Sequence, residues 1–479
     1  MIYAVPSYQE KSLATKVDQL LNDPPMLTDY SLQDWDHLPR EEIDRLQLAG
    51  LKQRFGELRD KIGVLKKLAD AENIDHIDTL EDVVPLLFEH TVFKSYPPSL
   101  LENNRFKDIN KWLGKLTAHP IDHVDVSTCQ TLDEYFDVMD AAVPALSVAY
   151  TSGTSGTISL LPQTRSESAK SIILKRMTLG VVSSPTEPLP ELHVAYPFFR
   201  SGRMSHLRGN DATVKHMLKG EEYFHAAYPM RMSADVQYLA ARIRAATAKG
   251  TLDRLKINPA VLAKKAAFDK LTAEMPQHME EFFAQLVDDL KGKRIYVWAT
   301  WNLLHNMAKA GLGRGFEKVF AENSVVGTGG GAKGLVQPEG WQDDILRFTG
   351  AKQLNELYAM SEVISSHWKC EHDHFHFSHT AIPFLLDPQT SKPLPRAGRV
   401  TGRAAFFDLG ADARWGGFIT GDELTVEWDK PCACGRSTAY IVGKIQRYSE
   451  KKGGDDKITC AATEENHAAA MDFLNSFEM

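Results

Sequence analysis

The sequence is short of cysteine, of net positive charge and of long apolar runs, and each shortage removes a class of protein. Five cysteines among 479 residues are too few for a disulfide framework, so stability has to come from a packed core. The 55 Lys and Arg against 63 Asp and Glu leave a formal charge of −8. Binding along a nucleic-acid backbone takes clustered cations, and no nucleic-acid partner is expected. No stretch of about 18 consecutive apolar residues occurs, which argues against a membrane-crossing helix and a membrane partner. The first six residues, Met1 to Pro6, lack the basic stretch and apolar core of an export signal, so the expected location is the cytoplasm. There is no internal repeat, no low-complexity tract and no G-x-x-x-x-G-K-[ST] loop.

What is present is the composition of an ordinary folded chain, 43% hydrophobic and 25% charged. Residues 40–70 place Ile43, Leu46, Leu51, Phe55, Leu58 and Ile62 at threes, fours and fives, a helical pattern. Residues 110–116 predict a further helical turn or two. Residues 142–150 and 193–196 read as strands, and 234–290 as mainly helical with breaks at Pro259 and Pro276. Residues 294–300 read as a buried strand followed by a helix ending near Gly311 and Gly313. Residues 324–331 read as a strand running into glycines, and beyond Gly398 short β-like runs dominate, at 403–407 and 423–428. Strands alternating with helices and then a β-rich stretch imply an α/β fold with an appended β-rich lobe.

Two loops have the glycine and hydroxyl content to meet phosphate, because glycine bares backbone N–H groups. Residues 325–332 mimic the G-x-G-x-x-A of dinucleotide sites, but Asp343 and Asp344 come too soon after it and no clear βαβ unit follows. A structural turn or another nucleotide contact fits this loop as well. Thr151-Ser152-Gly153-Thr154-Ser155-Gly156-Thr157 offers hydroxyls between glycines. Such a loop wraps a polyphosphate or serves as a polar linker.

The company these loops keep decides between the readings. Residues 151–157 resemble the phosphate loop of the adenylate-forming superfamily, which includes acyl- and aryl-coenzyme A ligases, peptide-synthetase adenylation domains and luciferases. Gly329-Gly330-Gly331-Ala332 is similar to its adenine-side glycine segment, Tyr358-Ala359-Met360-Ser361-Glu362 to its Y-G-x-[ST]-E, and Thr420-Gly421-Asp422 to its T-G-D. Gly443-Lys444 stands where the hinge Gly-Arg would be. Within the superfamily the chain is most similar to phenylacetate–coenzyme A ligases and to the acyl-protein synthetases of bacterial luminescence. The leading helical segment, the GGGAK form of the glycine segment and the Cys-x-Cys-Gly-Arg after T-G-D carry that likeness.

The resemblance implies a Mg-ATP-dependent enzyme that joins a carboxylic acid to AMP with release of pyrophosphate. The acyl group would then pass to coenzyme A, a carrier protein or another thiol. An amine acceptor, giving an amide, and a degenerate nucleotide-binding partner are the alternatives. It implies that Thr151, Ser152, Gly153, Thr154, Ser155 and Gly156 cradle the outer phosphates and that Glu362 holds Mg²⁺. Ser361 would touch the α-phosphate, Tyr358 would stack on adenine and Asp422 would accept from the ribose hydroxyls. Gly329, Gly330, Gly331 and Ala332 would line the adenine side, with Lys444 and Arg447 as hinge cations.

Three departures stand out. No Pro-Lys follows the phosphate loop, and Arg165 is a candidate substitute; the hinge has Lys444, which keeps the charge of Arg but not its fork. Only 36 residues follow Gly443, so the expected organisation is a helical segment (1–118), an ATP- and acid-binding core (119–440) and a shortened C-terminal lobe (441–479). Lys451, Lys452 and Lys457 lie in that lobe, as does Cys460, read either as an acyl carrier or as an inert thiol.

Cysteine is scarce but clustered. Cys370, Cys432 and Cys434 with His372, His374, His376 and His379 offer the thiolates and imidazoles of a closed zinc site. The expected ligands are Cys370, His376, Cys432 and Cys434; a reduced cysteine cluster beside a His-rich loop is the alternative. Phe198, Phe199 and Arg200 are candidates to line the acid's pocket, or else ordinary core aromatics beside a surface arginine. A homodimer is allowed.

Overall fold

The computed structural model describes residues 8–151, 156–330 and 337–448. Helices Arg40–Leu58 and Gly63–Glu72 replace the single expected run. The first buries Ile43, Leu46, Leu51 and Phe55 on one face. Gly50 on that face lets the side chains of Leu21 and Leu409 approach, 3.2 Å each from where a Cβ would sit. Gln47 Nε2 donates to the carbonyls of His379 and Ala381 at 3.0 Å, and Arg54 Nε to that of Leu409 at 3.0 Å. The leading helices are therefore bonded to backbone some 330 residues later in the chain.

In chain order the strands are β1 (Phe88–Glu89), β2 (Leu146–Tyr150), β3 (Leu160–Thr164), β4 (His193–Ser201), β5 (Phe224–Arg231), β6 (Ile295–Thr300), β7 (Val325–Gly329), β8 (Leu354–Tyr358), β9 (His367–Lys369), β10 (Phe375–His376), β11 (Ala381–Leu386), β12 (Arg399–Asp408), β13 (Gly417–Glu427), β14 (Tyr440–Ile441) and β15 (Gln446–Arg447). β2 and β3 form a separate antiparallel pair. The others make one sheet with the path β11-β12-β13-β14-β10-β9-β8-β7-β6-β4-β5, and β1 and β15 add to β13.

From β5 to β8 the sheet is parallel, with helices in the crossovers. β8 and β9 then pair antiparallel, and so do the strands beyond them on that path, while β1 adds to β13 in parallel. The β-rich stretch thus continues the same sheet through β8 and β9, and its short expected runs lengthen to the ten and eleven residues of β12 and β13. A single apolar core links the leading helices, the parallel strands and β11–β13.

Pro259 stands at the first position of helix Pro259–Ala263, capped by Asn258. Pro276 does not break the chain: it lies inside helix Lys265–Asp288. Burial of Phe268, Met275, Phe282, Phe283 and Leu286 along that helix holds it through the lost backbone bond. No helix among the described residues is long and apolar enough to cross a membrane.

Candidate functional site

The C-terminal ends of parallel strands gather loops that share one edge of the sheet. β2 is fastened there: Tyr150 N donates to the Arg203 carbonyl at 3.0 Å, Tyr150 bridges Met204, and Ser205 Oγ donates to the Tyr150 carbonyl. Thr151 N donates to the Ser159 carbonyl at 3.1 Å, and Ser159 N returns a bond to Thr151 Oγ1 at 3.2 Å. These bonds close the neck of the first glycine loop. Ser152, Gly153, Thr154 and Ser155 lie outside the described residues. Gly156 has φ +85°, and a Cβ there would stand 2.8 Å from Ala245 Cβ, so only glycine fits without a shift.

The second loop begins where β7 ends. A Cβ on Gly329 would meet Leu357 Cδ1 and the Leu357 carbonyl at 2.9 Å, and Gly330 has φ +85°. Gly331 and Ala332 lie outside the described residues, as do Lys451, Lys452, Lys457 and Cys460.

The T-G-D motif is a bulge rather than a turn. Arg403 faces Glu423, and Ala405 faces Ile419, so three residues of β13 stand opposite one of β12. Thr420 Oγ1 donates to the Ala404 carbonyl at 2.9 Å and accepts from Asp422 N at 3.0 Å, while Arg403 Nε donates to the Thr420 carbonyl at 2.8 Å. The bulge turns Asp422 toward the end of β8, where Tyr358 Oη donates to Asp422 Oδ2 at 2.8 Å. Arg447 of β15 pairs with Asp422 Oδ1 at 3.4 Å. Tyr358, Asp422 and Arg447 therefore form one cluster, and burial beside the Asp422 carboxylate pushes the Tyr358 phenol well up. Lys444 is exposed.

Ser361 and Glu362 follow Tyr358 directly. Gln163 Nε2 of β3 donates to the Ser361 carbonyl at 3.4 Å. Arg414, 1% exposed, donates to the carbonyls of Glu362 at 2.9 Å and Pro162 at 3.0 Å. The buried guanidinium thus ties the hairpin of the first loop to the Tyr358–Glu362 segment. Its countercharge is Glu167, which also accepts from Asp412 N, Ala413 N and Thr164 N. Burial pushes the Glu362 carboxyl up, offset in part by the charges of Arg414, Arg447 and Lys94.

Arg414 and Lys94 were not candidates from the sequence. Lys94 sits in the turn Val92–Lys94, which Phe93 stacks on Phe418 of β13 at 6.4 Å and Tyr96 Oη bonds to the Ile158 carbonyl at 2.6 Å. An arginine between Ala413 and Trp415 in an apolar stretch was the only hint for the first; nothing marked the second. Arg165 is turned away, its Nε donating to the Pro144 carbonyl at 2.8 Å and its Nη2 lying 3.4 Å from Asp140.

Phe198 and Phe199 are each 1% exposed. Their rings meet edge to face at 5.1 Å, inside the core. Arg200 is held by Glu221 at 2.6 Å and Asp211 at 3.0 Å and lies over the Phe224 ring. All three side chains are spent on packing and ion pairs.

Away from that edge, Cys370, His376, Cys432 and Cys434 converge, their ligand atoms all within 4.8 Å of one another. Cys370 Sγ and Cys432 Sγ are 3.8 Å apart, and Cys434 Sγ is 3.2 Å from His376 Nε2. A tetrahedron with metal–sulfur bonds of about 2.3 Å places its sulfurs about 3.8 Å apart, so the donors fit zinc. His376 Nδ1 lies 3.2 Å from Thr438 Oγ1, which orients the ring. Burial pushes the His376 imidazole down to about 3 and the Cys432 thiol up to about 12, and a divalent cation would reverse the second. His374 Nδ1 stands 3.3 Å from Cys432 Sγ and stacks on Tyr440. His379 Nε2 instead meets the Trp35 carbonyl.

No protein-family model matches the chain, and no curated protein matches its sequence. Solved structures do match. A 2-hydroxyisobutyryl-CoA ligase in complex with 2-HIB-AMP and CoA, in the thioesterification state, superposes with a TM-score of 0.50 and 13% identity over 87% of this chain and 70% of that one. Its open conformation gives 0.49, at 13% identity, over 86% and 71%. MatB from Rhodopseudomonas palustris gives 0.35, at 12% identity, over 62% and 47%. The first of these establishes the fold: a large mixed sheet flanked by helices, the adenylate-forming architecture that the motifs implied.

Proposed function

We propose that this chain activates a carboxylic acid with ATP and passes the acyl group to coenzyme A or another thiol. The observation that carries the reading is the meeting of Tyr358 and Asp422, 64 residues apart in sequence, at 2.8 Å beside Glu362 and the neck of a hydroxyl-rich loop. The fold carries this chemistry in the 2-hydroxyisobutyryl-CoA ligase, which holds an adenylate and CoA.

A carboxylate oxygen attacks the α-phosphorus, the bond to the bridging oxygen breaks and pyrophosphate leaves. Displacement at phosphorus asks for neutralised charge more than for a base. Thr151 and Gly156, with Ser152 to Ser155 between them, would bind the departing phosphates. Glu362, in a half-buried place that disfavours a bare carboxylate, would hold Mg²⁺, a hard cation that suits one carboxylate plus phosphate oxygens. Ser361 would meet the α-phosphate, Tyr358 and Asp422 the adenosine, and Arg447 steadies Asp422. In the second half, the thiol sulfur attacks the acyl carbon, AMP leaves and the thiol proton passes to solvent. The four-ligand Cys and His cluster would hold a structural zinc ion.

Pyrophosphate and AMP release across a panel of acids, each with and without coenzyme A, tests the reading. Acid-dependent release that turns over only with coenzyme A is the expected result. Release that ignores coenzyme A directs the acyl group to an amine or a carrier protein. Glu362→Gln is expected to lower the rate of adenylate formation at least about a hundredfold, the scale of one lost electrostatic contact in a transition state; unchanged turnover removes Glu362 from the chemistry.

A further inference from the structure

The hairpin of β9 and β10 carries Cys370 and His376 of the four-donor cluster, and His374 stands between them. Cys370 N donates to the His374 carbonyl at 2.8 Å and Asp373 N to the Cys370 carbonyl at 3.0 Å, which closes a tight turn over 370–374. Asp373 takes φ +61° in that turn, and its carboxylate pairs with Lys369 at 2.8 Å. Side chains alternate along the extended chain that follows. His374 and His376 therefore share a face, and both rings pack on Tyr440 of β14, with centroids 4.5 and 5.3 Å away.

The two imidazoles are placed for different work. His376 Nδ1 is engaged by Thr438 Oγ1 at 3.2 Å, which leaves Nε2, 3.2 Å from Cys434 Sγ, for a metal. His374 is not among the four donors that lie within 4.8 Å of one another. Its Nδ1 nevertheless stands 3.3 Å from Cys432 Sγ. Three thiolates and a neutral imidazole around a dication leave one negative charge in surplus. Cys370, Cys432, Cys434, Tyr440 and Val442 form a small cluster of their own, apart from the main core. A charge in such surroundings asks for a hydrogen-bond donor, and His374 is half-buried beside it.

We propose that His374 donates its Nδ1–H to the Cys432 thiolate and so helps the cluster retain zinc without itself ligating the metal. The bond spreads the surplus charge onto the imidazole and holds Cys432 Sγ in one direction, as outer hydrogen bonds do around metal ligands. Tyr440, stacked on the ring at 29°, fixes the plane in which the N–H is aimed. His374 is thus a positioning residue. The inference rests on the zinc reading of the cluster and is independent of nucleotide, acid and thiol.

Zinc affinity of the full chain is measured by competition with a chromophoric chelator, and coordination is read from cobalt(II) loaded in place of zinc. His374→Phe keeps a ring against Tyr440 and loses the donor, whereas His374→Asn sets an amide N–H close to the Nδ1 position. His374→Phe is expected to weaken zinc binding about ten- to a hundredfold, and His374→Asn to recover most of that loss. The cobalt form of His374→Phe keeps the visible bands of a four-coordinate site. Its sulfur-to-cobalt band in the near ultraviolet moves to lower energy, because a sulfur without the hydrogen bond gives up charge more readily. Lost affinity with that band unmoved marks a merely structural role and overturns the proposal. Unchanged affinity in His374→Phe overturns it as well, and so does loss of the four-coordinate spectrum, which would make His374 a ligand. A parent chain that takes up neither zinc nor cobalt overturns the zinc reading and the proposal with it.

Discussion

At the scale of single residues, the cluster at the end of β8 shows how two common short strings become one site. Asp422 receives a hydroxyl from Tyr358 and a guanidinium from Arg447, so its carboxylate keeps a fixed orientation. Tyr358→Phe removes a hydrogen bond to a charged group, worth about 1.5–3 kcal/mol. If this carboxylate holds the ribose, the variant raises KM for ATP about tenfold with kcat little changed, the signature of uniform binding; equal KM values would remove the cluster from nucleotide binding. Phe198 illustrates the opposite outcome. Its ring is 1% exposed, and Phe198→Ala is expected to cost about 3–5 kcal/mol in a denaturant melt, as a cavity in a packed core does.

At the scale of elements, two helix N-termini share their caps. Asp235 Oδ1 accepts from Leu132 N at 2.7 Å at the start of helix Leu132–Ala142, and Asp133 Oδ1 accepts from Ala234 N at 2.9 Å at the start of helix Ala234–Ala248. Burial and then the Asp133 charge push the Asp235 carboxyl up to about 7, against the pull of the Leu132 N–H. The folded chain therefore holds this proton more tightly than the unfolded one. Its stabilising share is complete below the unfolded value near pH 4 and is lost as pH rises through about 7. Asp235→Asn keeps an acceptor oxygen and removes the charge. It is expected to be more stable than the parent at pH 8 by on the order of 1–2 kcal/mol, with the difference shrinking toward pH 5. Parallel stability curves for the two proteins across that window would rule this out.

At the scale of the molecule, the residues just past the Cys and His cluster fasten the leading segment to the β10–β14 pair in the middle of the sheet. Ser437, three residues past Cys434, donates to the Asp36 carbonyl from its N at 3.0 Å and to the Leu38 carbonyl from its Oγ at 2.6 Å, and Arg436 pairs with Asp36 at 3.2 Å. Purified protein is expected to carry about one equivalent of zinc, and chelation or Cys434→Ser to lower Tm and speed amide exchange around Asp36. A metal-free protein indifferent to chelator would show that the thiols are structural by themselves. Local pattern was enough to read the strands at 193–196 and 294–300, the strand that runs into glycines at 324–331 and the helical character of residues 40–70, because each depends on spacing within a few residues. The order of the motifs is spread over much of the chain, and Cys370, His376, Cys432 and Cys434 are brought together only by the fold. Local pattern was not enough for Pro276, which long-range burial keeps inside a helix, nor for the bulge at Thr420, which exists only against β12. Nor could it find Arg414 or Lys94, whose significance is that each sets a positive charge near Glu362, far away in sequence. Chain-local chemistry is written in the sequence, whereas desolvation and cross-sheet pairing arise only when separate segments exclude water together, and that the tertiary structure alone decided.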